Sequence, residues 1–169
     1  IYLGGAIVAA NKMASIGEDF AENNIEVTRQ NVLYSTDQAY WLVVSLKQKQ
    51  ALAKSYLSLV KKLQEDVHKM IKEGVATRAN GLKVDVKVNE AEMQLMQVEN
   101  GVSLSRMLLC QLCGLSEEQK IVLADEDEDE INVLNNTEAI TKETAFSYRP
   151  EIKMLQNAID LSKQNTKLV

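Results

Sequence analysis

Cys110 and Cys113 form a Cys-x-x-Cys motif, a spacing found in dithiol redox sites and in zinc sites. A four-ligand zinc site needs a second pair of ligands, but the chain has no other Cys and only one His. A thioredoxin-type motif accompanies a βαβ pattern, which is missing from this sequence. We therefore interpret the pair as two small apolar side chains at the end of a helix, and its oxidation to a disulfide stays open.

The single histidine, His68, belongs to a Glu65-x-x-His68 motif, the spacing that builds di-iron sites in helical bundles. Such a site needs a second copy of the motif and two further carboxylates. Because His68 follows an apolar position, Val67, we expect its imidazole to face outward. A Gly-rich phosphate loop, a Gly-x-Ser-x-Gly motif and a His suited to activate Ser or Cys are all missing. We predict no metal, no cofactor and no enzymatic activity.

Six consecutive carboxylates run from Asp125 to Glu130. The run lacks the Gly and the spaced ligands of an EF-hand loop, so we interpret it as a solvated connector. The net charge is −5, and without this run the 19 Lys and Arg exceed the remaining acidic residues by one. This balance predicts no general attraction to nucleic acid or to an anionic membrane surface.

The elements that must position these residues are indicated by the scarcity of helix breakers. The 169 residues include 1 Pro and 7 Gly, where average usage gives roughly 8 and 12. This composition argues against collagen, a Gly/Pro-rich β-sandwich and a disordered linker. No Gly or Pro lies between Gly17 and Gly74. A helix over that gap is about 85 Å long, and a globule of this size is only about 40 Å across, so we predict a rod.

The first predicted helix, residues 6–73, carries two adjoining apolar seams. One has heptad spacing and consists of Ala53, Leu57, Val60, Gln64, Val67 and Ile71. The other consists of Leu52, Tyr56, Leu59, Leu63 and Met70. A two-stranded coiled coil needs only one seam, so two seams favour a helix placed between neighbours in a sheet-like or tubular array.

The second predicted helix, residues 82–113, ends at Gly114, a natural C′ glycine. Its seam consists of Val84, Val88, Ala91, Leu95, Val98, Val102, Ser105, Leu109 and Leu112. The short separation predicts that the two helices fold back as an antiparallel hairpin. Because the first helix is longer, roughly 50 Å of it has no partner in that hairpin. Another segment or another subunit should cover the apolar side chains there, which are Phe20, Ile25, Leu33, Tyr40 and Trp41.

The turn between these helices spans Gly74, Val75, Ala76, Thr77, Arg78, Ala79, Asn80 and Gly81. Thr77 can act as the N-cap of the following helix, with Asn80 at its N3 position. Two interpretations stay open. The segment is either a plain interhelical turn or a small-residue tip whose accessible backbone groups let another helical hairpin dock end to end.

The remainder is predicted to be an acidic connector, 114–137, followed by helical residues 138–169. Thr137 can cap a short helix that starts at Glu138, and Pro150 occupies the N1 position of the last helix. The apolar side of that helix consists of Ile152, Leu155, Ile159 and Leu161.

The chain opens at Ile1 without an initiator Met, so we expect a segment of a longer protein. Its longest apolar run, Ala39 to Val44, is far shorter than a membrane span. Any membrane-spanning part is therefore expected outside this sequence.

An ordered series of short motifs covers nearly the whole chain. The series is Ile1-Tyr2-Leu3-Gly4-Gly5, Ala39-Tyr40-Trp41-Leu42, Gly74-Val75-Ala76-Thr77-Arg78-Ala79, Leu108 to Leu115, and Tyr148-Arg149-Pro150-Glu151-Ile152. In order and spacing it resembles the first repeat of the TolC-like outer-membrane efflux proteins. The sequence departs from that family at the turn, where Asn80 and Gly81 stand before Leu82 in place of the Asp-Val that the family often has.

The resemblance implies an all-α fold, a long antiparallel coiled-coil hairpin that forms a segment of a periplasmic α-helical barrel. Residues 1–5 would end a membrane strand, 74–81 would be the tip, and 138–169 would start a second repeat. It also implies a homotrimer in the outer membrane of a Gram-negative bacterium, with this segment in the periplasm. The tip would dock the periplasmic adaptor of an inner-membrane pump, and the protein would be a passive exit duct that binds no nucleic acid.

Two other functions stay open. A periplasmic adaptor (membrane fusion) protein also has a helical hairpin, but β-rich lipoyl-like halves flank it, whereas residues 114–169 are predicted to be helical. A generic coiled-coil scaffold predicts a partner with matching heptads and no secretory signal upstream.

Overall fold

The computed structural model describes residues 5–116, 119, 121–126 and 141–166, and all regular structure in these ranges is helical. The helices are α1 (Ala6–Lys72), α2 (Arg78–Leu112), α3 (Lys142–Tyr148) and α4 (Pro150–Asn165). The prediction of an all-α chain is therefore confirmed for the described ranges. The predicted strand end at residues 1–5 lies outside them except for Gly5. No helix in these ranges has both the length and the apolar character needed to cross a bilayer.

Helix α1 is continuous over 67 residues, as the absence of Gly and Pro after Gly17 predicts. It ends in a Schellman motif, in which Gly74 adopts a positive φ of 76°. The N–H of Gly74 donates to the carbonyl of Ile71 at 3.1 Å, and the N–H of Val75 donates to that of Met70 at 2.9 Å. These bonds satisfy carbonyls that the end of the helix would otherwise leave without a donor.

Helix α2 begins at Arg78, four residues before the predicted start at 82. Thr77 is its N-cap residue, with extended φ and ψ of −89° and 155°, but its side chain makes no capping hydrogen bond. The other end matches the prediction, since Gly114 has a φ of 67°. There the N–H of Leu115 donates to the carbonyl of Cys110 at 2.8 Å, which closes a second Schellman motif.

The chain divides into two compact units, of which one comprises Ser35–Asn132. In this unit the later part of α1 packs antiparallel to α2. Gln64 donates to Asp85 at 2.8 Å, and Gln50 donates to Glu99 at 3.3 Å. The residue earlier in α1 therefore contacts the residue later in α2, as an antiparallel pair requires. The first predicted seam of α1 and the predicted seam of α2 lie between these two helices. Val60, Val88, Ala91, Val102, Ser105 and Leu109 are buried, and only Leu112 at the end of the α2 seam is exposed.

The core of this unit lies where α1 passes the end of α2. Ala39, Val43 and Leu109 form a buried cluster, and Ile121 and Leu123 pack against it from the segment that follows α2. Val43 has no exposed surface. The same cluster receives the half-buried ring of Tyr40.

The other unit comprises Ile1–Tyr34 and Val133–Val169. Early α1 and α4 lie together in it, since Asn23 and Asn157 line one groove. On α1 the least exposed side chains recur at spacings of three and four, at Ala6, Ala9, Met13, Ile16, Phe20, Asn23 and Val27. On α4 they are Ile152, Met154, Asn157, Asp160, Leu161 and Gln164, after buried Pro150 at its first position.

Two predictions for this unit need correction or fall outside the described ranges. Leu155 and Ile159, predicted on the apolar side of α4, are exposed because the helix turns its Met154 and Leu161 side inward. Thr137 and a helix start at Glu138 lie outside the described residues. The observed cap of α3 is Thr141, whose side chain accepts a hydrogen bond from the N–H of Thr144 at 3.3 Å.

Candidate functional site

The turn between α1 and α2 is shorter than predicted. Gly74, Val75, Ala76 and Thr77 lie in it, whereas Arg78, Ala79, Asn80 and Gly81 form the first turn of α2. The predicted tip at 74–81 is therefore corrected to a loop between Lys72 and Arg78. The first-turn residues were misassigned because Gly81 looks like a helix breaker in the sequence.

The backbone donors from Glu73 to Ala76 in this loop are occupied. The N–H groups of Gly74, Val75 and Ala76 donate back to the last turn of α1. In the first turn of α2, the N–H of Asn80 donates to the carbonyl of Thr77 at 3.0 Å. A docking partner could not use these donors without breaking the helix end. The loop instead presents side chains, chiefly Val75, which is 70% exposed.

Gly81 is buried, unlike the rest of the predicted tip. A Cβ atom at this position would lie 2.8 Å from Cδ1 of Ile71 and 3.5 Å from the ring of His68. Gly81 therefore lets α2 approach α1 closely beside the loop. Its contribution is to interhelical packing and not to an exposed surface.

A shallow cleft opens beside this close contact. It is lined by His68, Ile71, Arg78, Gly81, Leu82 and Asp85. Nε2 of His68 lies 3.3 Å from Oδ1 of Asp85, and Gln64 donates to the same oxygen. The prediction that His68 faces outward is only half right, because its side chain is partly exposed but turned toward α2.

The second apolar seam of α1 has no partner within the described chain. Its members Leu52, Tyr56, Leu59, Leu63 and Met70 are all exposed, Leu52 at 71%. Two of its members line one wall of an apolar groove between the helices, which consists of Lys49, Leu52, Ala53, Tyr56, Gln94, Gln97 and Val98. Helix α2 also exposes apolar side chains away from its buried seam, namely Leu82, Val86, Met93, Met96, Leu104 and Met107.

The start of the acidic run is not solvated, which corrects the interpretation of Asp125 to Glu130 as a solvated connector. The hydroxyl of Tyr40 donates to the Asp125 carboxylate at 2.5 Å. Glu126 is buried, pairs with Arg106, and lies 3.3 Å from Nζ of Lys47. Residues 127–130 lie outside the described ranges.

These contacts perturb two ionisable groups. Burial acts to raise the pKa of Glu126, but the N–H of Leu123 and the charges of Lys47 and Arg106 together lower it below the ordinary value. The hydrogen bond to Asp125 raises the pKa of Tyr40, since it stabilises the protonated phenol. Near neutral pH both shifts favour the protonation states that make these contacts, the ionised carboxylate of Glu126 and the protonated phenol of Tyr40.

The residues first singled out for chemistry do not converge. Cys110 is buried and Cys113 is exposed, and both are free thiols. The part of the chain that the structure describes contains no group of three His, Cys, Asp or Glu side chains arranged to hold a metal ion. Glu65 instead lines a groove between α1 and α2 that also contains Lys61, Lys62 and Leu95.

Comparisons of the chain with protein-family models, with curated proteins and with solved structures find no match.

Proposed function

We propose that this chain is part of the helical tube of an outer-membrane channel, in which it forms a coiled-coil hairpin. The channel would serve a tripartite efflux or secretion system as a passive exit duct. The observation that carries the proposal is the pair of apolar faces on each helix. One face is buried between α1 and α2, and the other is exposed on the described chain. A hairpin that functions alone has no use for the second face.

The positions of the exposed faces favour a tubular array. At about 100° per residue, the Leu59 and Leu63 face of α1 lies about 90° around the helix from the buried seam. Met93 and Met96 lie nearly opposite the buried seam of α2, where a further helix would pack. Each helix can then contact neighbours on two sides, as the wall of a tube requires. Homotrimer formation in the full-length protein would supply those neighbours.

The turn between the helices supports the second part of the proposal, that the tip docks a periplasmic adaptor. Two Schellman bonds and the close contact at Gly81 hold the loop in one conformation. Exposed Val75 and Leu82 provide apolar surface, and exposed Arg78 provides charge. A preorganised tip of this kind loses little conformational entropy when an adaptor hairpin packs against it.

The proposed mechanism uses no bond chemistry. The duct would conduct substrates that a separate inner-membrane pump expels, and it would bind no nucleotide. On the side of α1 opposite its second seam the exposed residues are polar, namely Lys54, Ser58, Lys62 and Glu65. Such a surface can face water while the apolar faces are covered by neighbouring helices.

The test uses the full-length parent protein in its own host, with a photo-crosslinking residue at position 75. We expect the parent in the outer-membrane fraction and the crosslink to capture the adaptor of an inner-membrane pump, identified by mass spectrometry. Position 54, on the polar face of α1, is the matched control and should capture no adaptor. In addition, the purified parent should conduct ions across a planar bilayer.

Other outcomes of this test would contradict the proposal. A parent protein in the cytosol that forms no conducting pore would favour a coiled-coil scaffold. A parent protein anchored in the inner membrane, with crosslinks from position 75 to an outer-membrane channel, would favour the adaptor. Equal adaptor capture at positions 54 and 75 would contradict the proposal that the adaptor docks at the tip.

A further inference from the structure

The segment that follows α2 is attached to the helix pair by one carboxylate with several partners. The side chain of Glu126 is 4% exposed and lies between Lys47 of α1 and Arg106 of α2. Its Oε2 also accepts the N–H of Leu123 at 3.3 Å, which folds the segment into a turn. Arg106 donates in addition to the carbonyl of Ile121 at 3.2 Å.

The same segment covers part of the apolar core. Ile121 and Leu123 pack on the cluster of Ala39, Val43 and Leu109. Between 121 and 126 the backbone has no helix or strand. Its position therefore depends on two apolar side chains and on the polar contacts of Asp125 and Glu126.

We propose that residues 121–126 form an ionic strap, a cover that the charge of Glu126 holds on the α1–α2 pair and that loss of this charge releases. Release uncovers the Ala39, Val43 and Leu109 cluster while both helices stay folded. The strap is a property of the folded chain and does not depend on the chain forming a duct.

Charged side chains of both helices and of the segment itself surround Glu126. Lys47 faces it from α1, Arg106 from α2, and Asp125 precedes it on the segment, with its own carboxylate held by Tyr40. When Glu126 is neutral, Lys47 and Arg106 lose the counter-charge that they share. Lys47 and Arg106 are partly exposed, at 35% and 29%, so water can take over their solvation once the charge-assisted hydrogen bonds to Glu126 weaken, and the segment should open.

The pH dependence follows from the direction of the shift. A lowered folded pKa means that the contribution of Glu126 is complete above the ordinary glutamate value, about 4.3. It is lost as the pH falls through the lower folded value. Tyr40 acts in the opposite direction, because its raised pKa means that its contribution is lost at strongly alkaline pH.

The test measures hydrogen exchange of the Leu123 amide in the chain and in Glu126→Gln, which keeps the volume and removes the charge. We expect exchange in the variant to be at least about tenfold faster, with unchanged helical circular dichroism. Trp41 is the only Trp and its ring packs edge-on against Tyr40 at 5.4 Å. Its fluorescence should therefore change together with the exchange rate.

Glu92→Gln is the matched control, since Glu92 makes an exposed ion pair with Lys61 of α1 at 2.8 Å. It should leave both readouts unchanged. Tyr40→Phe removes the two hydrogen bonds between the Tyr40 hydroxyl and Asp125, leaves the Glu126 contacts in place, and should accelerate exchange by a smaller factor. Equal exchange in Glu126→Gln and Glu92→Gln would overturn the proposal. Loss of helical signal in Glu126→Gln would also overturn it, because the carboxylate would then hold the helix pair itself.

Discussion

The close contact at Gly81 can be tested against a second glycine of the same helix. Replacing Gly by Ala inside a helix raises the free energy of unfolding by up to about 1 kcal/mol, because Ala has the higher helix propensity. At Gly101 a new Cβ would lie 3.7 Å from Cδ1 and Cδ2 of Leu46, an ordinary contact distance. Gly101→Ala should therefore stabilise the α1–α2 unit by about 1 kcal/mol.

At Gly81 the same change should not stabilise the protein. Its Cβ would lie 2.8 Å from Cδ1 of Ile71, so the Ile71 side chain must leave its position. Moving a packed side chain off its rotamer costs about 0.5–1.5 kcal/mol, and overpacking costs about 1–3 kcal/mol. We expect Gly81→Ala to be about 1.5–3 kcal/mol less stable than Gly101→Ala.

Ile71→Val supplies the decisive background, since it removes Cδ1, the atom with which the new methyl group would clash, whereas the His68 ring at 3.5 Å is an ordinary contact. In that background Gly81→Ala should become neutral or stabilising, which a double-mutant cycle measures as a coupling energy between the two sites. Urea unfolding monitored by Trp41 fluorescence reports on this unit, because Trp41 lies within it. If Gly81→Ala alone stabilises the protein as much as Gly101→Ala does, the inference that the two helices pack too closely at Gly81 to admit a side chain is wrong.

Three further predictions concern the core, the helix end and the thiols. Val43→Ala should cost about 2 kcal/mol in urea unfolding because Val43 is fully buried, whereas Val86→Ala, at a position 54% exposed, should change stability by less than about 0.5 kcal/mol. Gly74→Ala places a Cβ at a φ of 76° and should lower the free energy of unfolding by about 1 kcal/mol. Gly74→Asn should lower it by less, because Asn tolerates the left-handed conformation better. Equal losses for the two variants would contradict a left-handed cap at Gly74. A thiol reagent should modify exposed Cys113 within the folded chain and buried Cys110 only on unfolding, as peptide mapping can show; equal rates would contradict the burial of Cys110.

The elements of this chain could be predicted because their signals are local. A long stretch without Gly or Pro permits one helix, and a heptad spacing places apolar residues on one face of it. Gly74 and Gly114 end helices because a left-handed residue is needed after the last turn, and glycine accepts that conformation without a steric penalty. For the same reason the helix bounds at these ends were predicted to within one residue.

The errors arose where a residue's effect depends on a neighbour distant in sequence. Glycine is a residue type common in loops, but Gly81 lies in a helix, where Ile71 of the facing helix occupies the space that a side chain would fill. Glu126 belongs to a run of acidic residues that would be solvated on its own. Its partners Lys47 and Arg106 lie on different helices, and their convergence on one carboxylate needs both helices in place.

The sequence by itself determined that the described chain is helical, where its long helices end, and which residues share an apolar face. Only the tertiary structure decided which of the two seams of α1 packs against α2, which side of α4 turns inward, and where the acidic segment attaches. The physical reason is that periodicity places side chains around a helix axis, whereas the choice between two apolar faces depends on the packing and charge of whatever element meets them.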